Sequence, residues 1–252
     1  MNSETYRLIT IPSSHYCEKV RWALDWLKVP YIEEPHVPIF HRLSTQKYGG
    51  TSVPVLATNS GNFVDSTDIL RYLDGVETGE RKLYPKDAEL RQEIDEMVEL
   101  FDAKLGHNTA RWLYYYLVGD REKMRRFWRE GTPLLERIGY EIFFPLISKV
   151  AQNVLNINEA SAAESLLEIE QVFEMVNLRL ADGRFYLIGD SFSAADLTFA
   201  TLTAPVLCPP EYPIELLFLE EWSPVLLETI TKFRETPAGK FALRLYREER
   251  FN

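Results

Sequence analysis

Two units of different construction are written into this chain: a small α/β domain of order β-α-β then β-β-α, followed by an all-α helical bundle. Three observations predict it. The hydrophobic period changes repeatedly over the first 75 residues, reads almost uniformly helical from Lys82 onward, and is interrupted between by a polar stretch containing a proline, ETGERKLYPKD (Glu77 to Asp87). The expected division is residues 1–78, a linker at 79–85, and residues 86–252. A chain of 252 residues with 46% apolar and 13% aromatic residues can fill such cores, which excludes disorder.

Each element follows from local pattern. YRLITI (Tyr6 to Ile11) is short and rich in β-branched residues, as a buried strand requires. From Cys17 the apolar positions Val20, Ala23, Leu24 and Leu27 have helical spacing, and Pro30 stops that helix. YIEEPHV (Tyr31 to Val37) supplies a second strand, joined to the first by a right-handed crossover. After an irregular stretch, SVPVLATNSGNFVD (Ser52 to Asp65) holds two short strands flanking Asn59-Ser60-Gly61-Asn62, an antiparallel hairpin. Asp65 or Ser66 then caps a helix through Ile69, Leu70 and Leu73, which Gly75 ends. In the helical half, Leu90, Ile94, Met97, Val98, Phe101 and Leu105 share one face. Ser161-Ala162-Ala163-Glu164 fits a capping box, Ser193-Ala194-Ala195-Asp196 resembles one, and Ser223-Pro224 is a good cap and first turn. There is no internal repeat and no low-complexity segment.

Charge and cysteine usage narrow the function classes. The 38 acidic and 28 basic residues give a net charge of -10, which opposes nucleic acid and anionic membranes unless a local basic patch overrides it. One patch qualifies, REKMRRFWR (Arg121 to Arg129), whose alternative is a solvated helix face. Only Cys17 and Cys208 occur, so there is no disulfide framework and a reducing compartment is expected. The N-terminus lacks a basic region followed by a long apolar core, and no run is long enough to span a bilayer, so a cytoplasmic protein is expected. Four scattered histidines with no paired ligand spacing imply no metal.

The stretch TIPSSHYCEKV runs from strand to turn to helix with the spacing of a C-x-x-C redox motif, Ser14 standing in the first cysteine's place. Together with three further motifs it resembles the glutathione transferase superfamily. These are Ser52-Val53-Pro54-Val55-Leu56, similar to the family's V-P-x-L with a cis proline; Val64-Asp65-Ser66-Thr67-Asp68-Ile69, similar to its acidic-or-Gln, Ser, x, x, Ile signature; and LIGDSFSAADLTFA (Leu187 to Ala200), like its buried capping box. The match spans nearly the whole chain. It implies a thioredoxin-like N-terminal domain, a helical C-terminal domain that contributes an electrophile site, a homodimer, and a role in detoxification.

On this resemblance Ser14 is the catalytic residue, with Ser13 as a fallback and Tyr6 a poor candidate. Its hydroxyl would donate a hydrogen bond to the thiolate of glutathione at a helix N-terminus, where unsatisfied N–H groups favour negative charge. Lowering a thiol pKa by two units takes about 2.7 kcal/mol. A charge-assisted hydrogen bond of roughly 1.5–3 kcal/mol plus a helix-terminus contribution of about 0.3–1 kcal/mol reaches that range. The resemblance assigns the Val53 backbone, exposed by a cis bond to Pro54, to the cysteinyl residue, and Asp65 and Ser66 to the γ-glutamyl end. His41 and Lys47 are candidates for the glycyl carboxylate. In LGHNTARWLYYYL (Leu105 to Leu117), His107, Arg111 and Tyr115 are candidates for a hydrophobic electrophile, the alternative for such aromatics being core. Cys17 begins the apolar stripe of its helix and reads as packing.

The implied function is conjugation of glutathione, a co-substrate, to a hydrophobic electrophile. The alternatives are a glutathione-dependent thiol reductase or deglutathionylase using Cys17, and a non-catalytic binding protein on the same fold. No nucleic-acid or membrane partner is expected.

Overall fold

The computed structural model describes residues 6–76, 79–216 and 222–252. Residues 77–78, the expected end of the first domain, lie outside the described residues, as do residues 1–5. Four strands, β1 (Tyr6–Thr10), β2 (Tyr31–Pro35), β3 (Val55–Thr58) and β4 (Gly61–Phe63), form one sheet in the order β2-β1-β3-β4. β1 runs parallel to β2, from Tyr6 opposite Tyr31 to Thr10 opposite Pro35, and antiparallel to β3. The hairpin β3–β4 pairs Thr58 with Gly61, so its loop is Asn59-Ser60 alone and Gly61 and Asn62 belong to the strand.

Three helices complete this unit: α1 (His15–Trp26), α2 (His41–Thr45) and α3 (Ser66–Val76). The stretch before Pro54 is therefore not irregular, since α2 continues into a tight 3₁₀ turn at Gln46–Tyr48 that Gly49 closes with φ of 80°. α3 runs through Gly75 instead of stopping there. Gly75 is not among the glycines with positive φ, so it forms no left-handed cap.

From Ala88 the described chain is helical: α4 (Ala88–Phe101), α5 (His107–Leu117), α6 (Arg121–Arg129), α7 (Leu134–Val154), α8 (Glu159–Arg179), α9 (Ala194–Leu207), α10 (Pro224–Glu235) and α11 (Pro237–Glu249). The face predicted for α4 is the one buried, with Ile94, Val98, Phe101 and Leu105 all at 1% exposure or less. The capping box of α8 begins three residues earlier than the serine pattern suggests: Asn158 Oδ1 accepts from Ser161 N (3.0 Å), and Ser161 Oγ accepts from Asn158 N (3.1 Å). Ser161 is thus the third helical residue. At α9, Asp196 does reach back, accepting from Ser193 N at 2.9 Å and from Leu187 N at 2.8 Å.

α9 is the centre of the molecule, and every one of its residues is buried. α1 packs between the sheet and α9, and carries three buried charged side chains, each with a partner. Glu18 accepts from Arg250 Nε (2.6 Å), Arg21 Nε donates to Glu33 (2.8 Å), and Lys19 Nζ donates to both oxygens of Asp102 at 2.9 Å and to Thr67 Oγ1 at 2.7 Å. These bonds tie α1 to α3, to the chain's C-terminal end and to the end of α4. The connection at Leu83 and Tyr84 is buried, its N–H groups donating to Asp74 Oδ1 and the Leu83 carbonyl accepting from Ala194 N.

Candidate functional site

The turn Ile11-Pro12-Ser13-Ser14 leaves β1 and delivers Ser14 as the N-cap of α1, with extended φ and ψ of -72° and 118°. Ser14 Oγ accepts from Cys17 N at 3.3 Å. That bond uses an acceptor lone pair, so the hydroxyl proton stays available to a second partner. Ser14 borders a cavity of about 250 Å³ between the sheet unit and the helices. On the sheet side its wall includes Ile11, Val53, Ile39, His41 and Arg42. α5 contributes His107, Ala110 and Tyr114, α6 contributes Trp128, and α7 contributes Ile147, Val150 and Val154.

The two residues after Ser14 dock α1 onto the junction of α4 and α5, a single π-helical turn at Asp102–Gly106. His15 is buried and its Nε2 donates to the Gly106 carbonyl at 2.7 Å. Desolvation pushes its pKa down to about 4, so the imidazole is neutral near neutral pH. The Tyr16 hydroxyl donates to the Asp102 carbonyl at 3.3 Å, and burial holds it in its protonated form. A Cβ at Gly106 would overlap that hydroxyl, so glycine is required there for close approach.

The candidate serines separate by environment. Ser13 is 7% exposed; its Oγ shares a hydrogen bond with the Tyr114 hydroxyl at 3.1 Å, and its carbonyl accepts from Tyr212. Ser13 does not border the cavity, whereas Ser14 does. Cys17 is fully buried, and desolvation raises its thiol to about 11, against the depression a reactive thiol needs. Cys208 is buried and raised to about 12.

The Val53–Pro54 bond is cis, and Val53 lies on the cavity wall one residue outside the span of β3, in no strand pair. Asp65 is exposed at the start of α3, its Oδ1 accepting from Thr67 N (2.8 Å) and Asp68 N (3.0 Å). Ser66 is buried beside it. Neither borders the cavity that Ser14 and Val53 share.

Several candidates fall apart from this group. His41 is on the wall, but burial lowers its pKa to about 4 and leaves Nδ1 without a partner, so it is no cation at neutral pH. Lys47 is exposed in the 3₁₀ turn and off the cavity wall; Arg42, one residue after His41, is the basic side chain on the wall. The sequence held that signal in the adjacent basic pair, but not which way a five-residue helix would turn it. On α5 the cavity face is His107, Ala110 and Tyr114, at offsets of three and four. Arg111 and Tyr115 are rotated off it by one position. Arg111 braces the wall from behind, Nε donating to the Leu155 carbonyl at 2.6 Å and Nη1 to Ser165 Oγ at 3.1 Å, and Tyr115 is 39% exposed.

Residues 8–81 match the family model for the glutathione S-transferase N-terminal domain. No curated protein sequence matches the chain significantly. Solved structures match over almost its full length. Ure2p5 from Phanerochaete chrysosporium, cocrystallised with 1-(S-glutathionyl)-2,4-dinitrobenzene, is 17% identical, covering 98% of this chain and 97% of that one with a TM-score of 0.57. The β-etherase LigF from Sphingobium sp. strain SYK-6 is 15% identical over 95% and 99% of the two chains, with a TM-score of 0.60. A glutathione S-transferase from Rhodospirillum rubrum F11 is 20% identical over 97% and 99%, with a TM-score of 0.56. At these identities the likeness is one of fold.

Proposed function

We propose that this chain, a member of the glutathione S-transferase superfamily by its N-terminal domain and its fold, conjugates glutathione to an apolar electrophile. The observation that carries this reading is Ser14: its hydroxyl caps α1, keeps a free proton, and faces the cavity that Val53 also borders. In this reading glutathione runs along the Val53 backbone, with the γ-glutamyl end toward Asp65 and Ser66 at the start of α3, whose N–H groups favour a carboxylate. Arg42, not Lys47, meets the glycyl carboxylate, and the neutral His41 offers only a hydrogen bond. The thiol comes to lie at the α1 terminus. The Ser14 hydroxyl and the helix end stabilise its thiolate without a protein cation, because His15 is neutral.

The sulfur then attacks an electrophilic carbon held against His107, Tyr114 and Trp128. This wall is largely apolar, which suits a hydrophobic substrate and keeps the thiolate poorly hydrated. The reductase reading through Cys17 has no support of this kind, since that sulfur is buried and its thiol form is favoured.

Conjugation of a chloronitrobenzene electrophile tests the proposal, together with retention on immobilised glutathione. Ser14→Ala is expected to lower turnover about 100-fold at neutral pH, the equivalent of about 2.7 kcal/mol, and to raise the thiol pKa seen by difference spectroscopy. Cys17→Ser is expected to keep the activity, and the opposite pattern sinks the assignment. Arg42→Gln is expected to raise KM for glutathione about tenfold with kcat nearly unchanged, as loss of a uniform binding contact does.

A further inference from the structure

We propose that the hairpin of α6 and α7 docks this protein on the surface of an anionic lipid bilayer. α7 is apolar on two opposite faces. Inward it presents Tyr140, Phe144 and Ile147; outward it presents Leu134, Leu135, Ile138, Ile142 and Leu146, which are 71%, 81%, 49%, 64% and 55% exposed. A helix apolar all round is ordinarily buried all round. A continuous stripe of this size on a surface is a contact site for something apolar.

Charge says what. Residues 121–154 carry seven basic and four acidic side chains, while the rest of the chain carries 21 basic and 34 acidic. Three of those four acids are already held: Glu122 by Arg125, Glu141 by Arg125 and Arg129, and Glu136 by His36 and the Val37 N–H. Because Arg125 and Arg129 reach Glu141, the basic row of α6 runs along the flank of the α7 stripe, one residue from Ile142. Arg121 lies over the Phe144 ring at 5.3 Å, and Lys149 sits exposed near the far end of the stripe.

An apolar stripe beside a basic row is the arrangement that enters a headgroup layer and pairs with anionic lipid. A second copy seated face to face on the stripe would bring two basic rows together, so like charge opposes that occupant. The overall charge of -10 does not forbid docking, because at physiological salt charges beyond about 8 Å are largely screened. Among the described residues no helix is long and apolar enough to cross a membrane, so the element lies on the bilayer and does not span it.

Sedimentation of the full chain with vesicles tests this, with neither glutathione nor turnover involved. Wild type is expected to bind phosphatidylcholine vesicles containing roughly 30% phosphatidylserine at least about tenfold more tightly than pure phosphatidylcholine, and to be released by added salt. Ile138→Glu with Ile142→Glu, and separately Arg121→Gln with Lys149→Gln, are each expected to weaken binding about tenfold or more at unchanged circular dichroism. Absence of vesicle binding, equal binding to both vesicle types, or vesicle binding that survives the glutamate pair overturns the proposal. So does wild type that self-associates without binding lipid and is dispersed by the glutamate pair, which would mean that a second copy covers the stripe.

Discussion

α9 and α7 are the two most apolar helices of the molecule, and they meet opposite fates. AADLTFATLTAPVL is buried on every side, its hydroxyls turned back to its own carbonyls: Thr201 to Leu197 and Thr203 to Phe199. LLERIGYEIFFPLISKVAQNV buries one face over the cavity and leaves the other in solvent. Composition alone would bury both. The difference teaches that apolarity states what an element needs, while its place in the layers decides whether this chain supplies it. α9 has α1, α4, α5 and α11 around it. α7 rests on its neighbours along one side only, through the Glu136, Glu141 and Ser148 contacts and the fit of Phe40 onto Gly139.

The largest expected effect lies on the α9 side. Phe199 is fully buried, with Phe101 and Phe173 at ring distances of 5.2 and 5.7 Å. Phe199→Ala is expected to cost about 3–5 kcal/mol in denaturant unfolding. A cost under about 1 kcal/mol would mean that α9 is not the packed centre.

Next comes the buried joint of α1 with the α4–α5 junction. His15 has its pKa lowered to about 4 in the folded chain against 6.5 unfolded, so between these values the unfolded chain binds the proton first. Its contribution is fully present above pH 6.5 and is lost as pH falls toward 4, on the order of 3 kcal/mol in total. Stability measured against pH should show that slope in wild type and a shallower one in His15→Phe. Equal slopes would mean that His15 is solvated.

The smallest effect is on the outer face of α7. Ile142→Ser should change stability by no more than about 0.5 kcal/mol, since the side chain is already 64% exposed. A loss of several kcal/mol would show that the stripe is covered in solution, and would break the contrast with α9.

How much of the site was legible follows the range of the interactions. Ser14 as a helix cap, Asp65 as another and Asp196 reaching back to Ser193 each depend on residues within three positions, and the sequence displays them directly. The side on which α5 meets the cavity does not work that way. His107 and Arg111 are four apart, yet only His107 lines the wall, because the face is set by where α6 and α7 lean on it. Lys47 and Arg42 show the same limit, since α2 and its 3₁₀ turn carry one outward and the other to the wall. The capping box of α8 was misread for a third reason: Asn158 and Ser161 satisfy it as well as Ser161 and Glu164 would, and local chemistry alone does not choose between registers.

By itself, then, the sequence determined the order of elements, the hydroxyl at the head of α1, the proline of Val53-Pro54 and the apolar character of α7 and α9. These rest on backbone propensity, capping and hydrophobic period, which act over a few residues. Only the tertiary structure decided that Cys17 is sealed in the core, that His15 and His41 are neutral, that Arg42 reaches the cavity and that half of α7 is left uncovered. Each of those depends on desolvation or contact by residues far away in the chain, and burial is a property of the assembled layers.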